Sequence, residues 1–312
     1  MNRASYFIKN KALFGSFPSH NSVRELEQEG VRVFVDLTFK EEQKIIPYTT
    51  DHTYISYPII DRNTPTNVSS FVRFIVHLSD IINVLKKGEL MYIHCKGGHG
   101  RSGVVVAVLL SHIFNMSPEH AMDHTTNYHS KRLVMKDKWR KMGSPQTFHQ
   151  KSFVYHCCKP LNFYRAYKTG FTAGFSNFSP HAVSVEGFGT FHTSEAAIQA
   201  YKQPSNQEYV YKQQTAISPI LSKNLGRKVK LREDWGVVSS TLMYKILRNK
   251  FDQHPDIKKA LMSTRLCPII QHTRGDNYWG DGGDGSGFNI LGNQLTKLRN
   301  DYYREMEVES EL

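Results

Sequence analysis

Cysteine is scarce in this 312-residue chain, and no apolar stretch is long. The four cysteines, Cys95, Cys157, Cys158 and Cys267, have a spacing that fits neither a disulfide scaffold nor paired metal knuckles. The longest apolar run, Val104 to Leu110, is far too short to span a bilayer. The opening segment from Met1 to Asn10 lacks the apolar core and small-residue cleavage site of a secretory signal. These absences lead us to expect a soluble, cytoplasmic protein with reduced thiols and no stable membrane association. Acidic residues are also in deficit: 28 Asp+Glu stand against 40 Lys+Arg, for a formal net charge of +12. The excess is uneven. Residues 1–160 carry 21 basic and 13 acidic residues (+8), and residues 161–312 carry 19 and 15 (+4). A basic face steers anions of several kinds, so phosphorylated proteins, nucleotides, nucleic acid and phospholipids all remain open.

What is present is a globular composition, 39% hydrophobic and 12% aromatic, able to fill one large core or two ordinary ones. The first half alternates strand and helix signals. Val31 to Thr38 is β-branched and reads as a buried strand. Ser69 to Lys86 places Phe71, Ile75, Leu78, Ile82 and Leu85 at helical spacing, with Gly88 as a stop. Leu90 to His94 is a second strand, running into a glycine cluster before another apolar helix opens at Ser102. This order predicts an α/β domain whose central, mainly parallel sheet is flanked by helices, with its site at the carboxyl ends of strands. The pattern changes around Cys157 to Pro160, and no long linker follows. We place two abutted domains at 1–160 and 161–312. The second is expected to be mainly helical α+β, with helices at 194–203 and 235–250 and a Gly/Asp-rich loop over 280–287.

The segment from His94 to Gly103 carries the clearest chemistry. A cysteine at a strand end, entering a tight loop before a helix, sits where backbone N–H groups converge to make an anion nest. The same field favours the thiolate of Cys95. The planar fork of Arg101 matches two phosphate oxygens. Lys96, Gly97, Gly98, His99 and Gly100 form the loop between them, its glycines letting backbone approach a ligand. Together these make a phosphate site with a nucleophile. Phosphoryl transfer to sulfur also needs a proton donor. Asp61 lies in a polar, Pro-bearing loop that could supply a mobile acid, though by itself it reads first as a turn aspartate.

His-Cys-x5-Arg-Ser resembles the signature of the cysteine-dependent protein tyrosine phosphatase superfamily, in its compact dual-specificity branch. The resemblance covers about residues 5–158 and includes Phe14-Gly-Ser-Phe-Pro18, Val35-Asp-Leu-Thr38, Pro58-Ile-Ile-Asp61 and Ser144-Pro-Gln-Thr147 with Gln150. It implies Cys95 as a nucleophile passing through phosphocysteine, Arg101 as phosphate clamp, Ser102 as an aid to thiolate release, and Asp61 as acid and then base. It implies no metal and no cofactor. Lys96 and His99 would put two basic side chains on the rim, as in phosphoinositide-directed relatives. The run Lys131 to Lys141, with six basic residues in eleven, reads as a solvated helix face or a nucleic-acid contact.

In the second half, Thr193 or Ser194 can cap a helix with Glu195 in its first turn. The 280–287 loop lacks the ligand spacing of a calcium-binding EF-hand, so a phosphate cradle or a plain turn fits it better. Trp235 and Trp279, taken singly, read as core fillers. Taken in order, Gly174-Phe-Ser-Asn-Phe-Ser-Pro180, Thr193-Ser-Glu195 with Gln199 and Lys202, Gly226-Arg227, Asp234-Trp235, Met243, Lys250-Phe251, Asp276-x-x-Trp279-Gly280 and Asn289-Ile-Leu-Gly292 with Arg299 resemble the NADAR (YbiA-like) family. The match runs over about residues 163–304. That resemblance implies cleavage of N-glycosidic bonds, in phosphorylated riboflavin-pathway intermediates or in guanine-linked ADP-ribose on nucleic acid. Glu195 and Asp276 would then supply the two carboxylates of an oxocarbenium-type reaction. Trp235 or Trp279 would stack on a base, and Asn177, Lys202 or Arg227 would hold ribose or phosphate. One position departs: Gln271 stands where the family usually has glutamate.

The leading expectation is a bifunctional hydrolase, a phosphatase for phosphorylated protein or small molecules joined to an N-glycosidase. The alternative keeps the phosphatase and makes the second domain a non-catalytic module for ADP-ribose or a nucleotide-like ligand. A third treats the basic half as a nucleic-acid binder.

Overall fold

The computed structural model describes residues 2–39, 41–164 and 170–310. It divides into two compact units, Met1–Lys159 with Arg265–Cys267, and Pro160–Thr264 with Pro268–Leu312.

The first unit has the expected α/β build. Strands β1 (Ala4–Ile8), β2 (Ala12–Ser16), β3 (Val31–Asp36), β4 (Thr53–Ser56) and β5 (Leu90–Cys95) form one sheet in the order β1-β2-β5-β3-β4. Only the β1–β2 pairing is antiparallel. Helices α1 (His20–Gln28), α2 (Val68–Val84), α3 (Arg101–Phe114), α4 (Pro118–Ser130), α5 (Asp137–Met142) and α6 (Phe148–Cys158) complete the unit. β5 is central and all six of its residues are buried, as expected of a strand covered on both faces. α3 is buried from Arg101 to Ser111, so the longest apolar run of the sequence is the core helix. Each fully buried Val or Leu there contributes about 1.5–3 kcal/mol. The loop between β5 and α3 therefore hangs from the two most firmly anchored elements of the unit.

The basic run Lys131 to Lys141 is a solvated helix face only in part. Its helical part is only α5, and Arg132 turns inward to 2% exposure. Its Nη1 donates to Gly98 O at 2.6 Å, its Nη2 to Phe14 O at 3.1 Å, and its guanidinium lies 4.3 Å from the Phe14 ring. Burial lowers the Arg132 pKa to about 10, which leaves it charged at neutral pH.

The second unit is mainly helical α+β. It contains β6 (Leu161–Phe163), β7 (Val183–Val185), β8 (Gly189–Phe191), α7 (Ser194–Ala200), α8 (Gln207–Gln214), α9 (Pro219–Lys228), α10 (Trp235–Gln253), α11 (Pro255–Ser263), β9 (Ile269–Gln271) and α12 (Ile290–Ser310). Two small ladders, β6–β9 parallel and β7–β8 antiparallel, frame the helices. Its core joins Phe175, Phe191, Leu247, Phe251, Leu295 and Leu298. Thr193 caps α7, its side chain accepting from Ala196 N, and every residue of that short helix is buried. Glu195 is carried inside with it.

Candidate active sites

In the first unit, the carbonyls of the loop are tied outward. Lys96 O accepts from Phe17 N at 3.2 Å, Gly98 O from Arg132, and His99 O from Ser144 Oγ at 2.5 Å. Because each peptide is planar and trans, carbonyls turned outward leave amides turned inward. Gly98 has φ +72, and a Cβ there would lie 2.3 Å from Gly15 C. Glycine is required at that position both for the conformation and for the close approach to β2.

Cys95 ends β5 with its Sγ 3.5 Å from Ser102 Oγ, and both residues are buried. The Arg101 guanidinium is 1% exposed and collects the remaining parts. Its Nη2 lies 3.0 Å from Asp61 Oδ1, so the candidate acid, the clamp and the cysteine loop do converge. Its Nη1 also donates to Ile59 O at 3.0 Å. Glu42, which carried no signal in the sequence, takes the other edge with Nη1–Oε2 at 2.7 Å and Nη2–Oε1 at 2.9 Å. Burial alone would lower the Arg101 pKa; Glu42, with Cys95 and Asp61, more than offsets this and raises it. Arg101 Nε is buried and has no hydrogen-bond partner among the described residues. It is the guanidinium nitrogen that neither Glu42 nor Asp61 engages.

His99 departs from expectation. Its ring stacks on Trp139, with centroids 5.2 Å apart, and its Nδ1 lies 2.7 Å from His129 Nε2. Burial, and secondarily Arg132, lowers its pKa to about 4, so it is neutral at pH 7 and adds no charge to the rim. Lys96 Nζ donates to Gln43 O at 2.7 Å and lies 4.0 Å from Glu42 Oε1. Gly97 lies beside it on the rim. Gly100 closes the loop as N-cap of α3. His94 is fully buried, its Nε2 2.7 Å from the Tyr48 hydroxyl, and burial lowers its pKa to about 4. Cys157 and Cys158 are buried away from this loop, and burial pushes the Cys157 thiol up to about 12.

The second unit holds a cavity of about 260 Å³ that gathers every residue singled out there: Glu195, Asp276, Asn177, Lys202, Arg227, Trp235 and Trp279. Glu195 is 7% exposed and its Oε1 accepts from Gln199 Nε2 at 2.8 Å. Burial raises its pKa, with Gln199, Lys223 and Lys202 opposing and Asp276 reinforcing. Asp276 Oδ1 accepts from Trp279 N at 2.8 Å and Tyr278 N at 3.1 Å, which fixes the carboxylate and places Trp279 at the same wall. Lys202 Nζ donates to Gly226 O at 2.9 Å and lies 5.8 Å from the Trp235 ring centroid. The two tryptophans only partly fill core, each being half-buried at the cavity. Lys250 is wholly buried beneath it and donates to Ser176 O at 2.9 Å and Ser179 Oγ at 2.6 Å, bracing the turn that carries Asn177. Burial lowers its pKa to about 7.

Lys223 also lines this cavity, and the sequence reading missed it. It lies four residues before Arg227 on α9, a spacing that puts both on one helix face. Gln271, the departing residue, is in the cavity wall, and its Oε1 is buried without a partner among the described residues. No residue of the 280–287 loop lines the cavity. It is a turn held by Asp281, whose Oδ1 accepts from Thr273 N at 3.0 Å and Gly283 N at 2.9 Å.

Among the described residues, no helix is long and apolar enough to cross a membrane. Two family profiles match the chain: a polymorphic toxin system DSP-PTPase phosphatase over residues 11–113, and the NADAR domain over residues 162–302. Protein 197R of Invertebrate iridescent virus 6, which carries a tyrosine-phosphatase name, is 32% identical over 300 residues, 96% of this chain and 91% of its own. The N-glycosidase YbiA of Escherichia coli (strain K12) is 39% identical over 127 residues, 40% of this chain and 78% of its own. The NMR structure of E. coli YbiA overlays with a TM-score of 0.43 at 34% identity, covering 47% of this chain and 88% of that one. The chain belongs to the family of 197R, a tyrosine-phosphatase domain of dual-specificity type joined to a NADAR domain.

Proposed function

We propose that the chain is a bifunctional hydrolase, a cysteine-dependent phosphatase whose second domain cleaves an N-glycosidic bond. The observation that carries the first half is the Arg101 guanidinium, which joins Asp61 at 3.0 Å to the loop holding Cys95. In this reading, Cys95 thiolate attacks phosphorus while Asp61 protonates the leaving oxygen, so an S–P bond forms as the P–O bond breaks. Asp61 carboxylate then takes a proton from water, which attacks phosphorus and releases phosphate, and Ser102 Oγ stabilises the departing thiolate. Arg101 and the loop amides hold the phosphoryl oxygens throughout. The substrate would be a phosphorylated protein or small molecule. Acid quenching during turnover of an aryl phosphate is expected to trap phosphate on the Cys95 peptide, with Asp61→Asn slowing substrates with poor leaving groups most. Phosphate recovered on another residue overturns the assignment.

For the second half, Glu195 and Asp276 share one cavity with Lys202, Lys223 and Arg227. The upward shift of Glu195 suits an acid that hands a proton to a leaving base nitrogen, leaving Asp276 as the carboxylate facing the oxocarbenium centre. The cationic side chains suit a ribosyl phosphate or ADP-ribose moiety. One observation favours a second reading, in which this domain binds without cleaving: the Gln271 departure lies in the cavity wall itself. Incubation with an oligonucleotide ADP-ribosylated on guanine separates the two. Release of ADP-ribose by the parent but not by Glu195→Gln supports cleavage. Binding with the ligand unchanged, by both proteins and for the riboflavin-pathway intermediates too, supports the module.

A further inference from the structure

A larger cavity, of about 620 Å³, opens beside the cysteine loop rather than within it. Its walls come from the loop at Lys96 and Gly97, from Arg3 just ahead of β1, and from the segment Arg132 to Lys136. Four cationic side chains, Arg3, Lys96, Arg132 and Lys136, line it, and no carboxylate does so among the described residues. Arg132 hydrogen-bonds only neutral oxygens, those of Ser5, Phe14 and Gly98, so among the described residues no carboxylate pairs with its buried charge. Arg3 and Lys136 are exposed, and no ion pair among the described residues uses either. Such a concave, one-signed site selects an anion, and its size is that of a small-molecule site.

Position ties this cavity to the reaction. Lys96 and Gly97 directly follow Cys95, so one wall begins about 4 Å along the chain from the nucleophile. Leu133 and Val134, 80% and 51% exposed, give the same cavity an apolar edge over which a carbon linker can lie. We infer that this cavity receives a second phosphate group of the phosphatase substrate, so that the preferred substrates are small bisphosphates, one phosphate meeting Cys95 and the other Arg3 and Lys136. This rests on the reading of Cys95 as the phosphoryl acceptor.

The test uses the full chain and alkanediol bisphosphates of increasing linker length, each beside its own monophosphate. For the best linker, kcat/KM is expected to exceed that of the monophosphate by about tenfold or more, the worth of a charge-assisted contact. Arg3→Gln combined with Lys136→Gln should erase that advantage while leaving monophosphate turnover within about twofold. An advantage that survives the double substitution, or no advantage at any length, overturns the inference. Calorimetric binding of the same compounds to Cys95→Ser keeps the question apart from the chemistry. Tighter bisphosphate binding that the Arg3 and Lys136 substitutions abolish supports the second phosphate site even if no substrate turns over, in which case only the phosphatase reading fails. Equal binding of bisphosphate and monophosphate overturns the site whatever the turnover.

Discussion

Arg101 is held by a residue 59 positions away, and that separation explains why Glu42 was invisible in the sequence. Cys95, Arg101 and Ser102 were legible because strand end, loop and helix start fall within eight consecutive residues, where local geometry dictates convergence. Glu42 lies in an ordinary polar stretch, and Arg132 in a basic run that composition assigns to solvent. Only the folded sheet shows that one pins the clamp and the other pins the Gly98 carbonyl of the loop. Lys223 was the recoverable miss, through its helical spacing from Arg227. Glu42→Gln, which keeps the shape but removes the charge-assisted pair, should lower kcat/KM for an aryl phosphate by about tenfold. Inhibition by inorganic phosphate should weaken alongside. Unchanged kinetics and unchanged phosphate inhibition would mean that Arg101 needs no such partner.

At the scale of elements, the strongly apolar strands and the long helices were readable and the shortest strands were not. β3, β5, α2, α3 and α10 are long or strongly apolar, so their periodicity matches their burial. β1, β2 and β4 are only four or five residues long, and β4 is almost wholly exposed, so their pairing rather than their composition makes them strands. His99 changed role for a related reason: α4 brings His129 against it and α5 brings Trp139, and neither contact is local. The buried rings have a consequence in pH. The pKa values of His94 and His99 are lowered from 6.5 to about 4, and that of His129 to about 3. Over that interval the unfolded chain binds protons that the folded one excludes, so their contribution is full above pH 6.5 and is lost as pH falls through about 4. For the fully buried His94 the slope is about 1.4 kcal/mol per pH unit. Urea unfolding followed across this range should show the loss for the parent chain and a shallower one for His94→Phe. Stability that is flat in pH would mean that these rings are charged in the fold.

The whole molecule carries two candidate sites on one chain, each drawn from its own unit. The cysteine loop draws every contact described for it from the first unit, and the carboxylate cavity from the second. Substitutions at one site should therefore leave the other site's activity unchanged, as holds for sites that share no partners. The most direct test assays the full chain, Cys95→Ser and Glu195→Gln against both an aryl phosphate and the guanine-ADP-ribosylated oligonucleotide. Cys95→Ser should lose only phosphate release and Glu195→Gln only ADP-ribose release, while the parent performs both. Phosphate release retained by Cys95→Ser would contradict this, as would a parent chain that releases ADP-ribose no faster than Glu195→Gln.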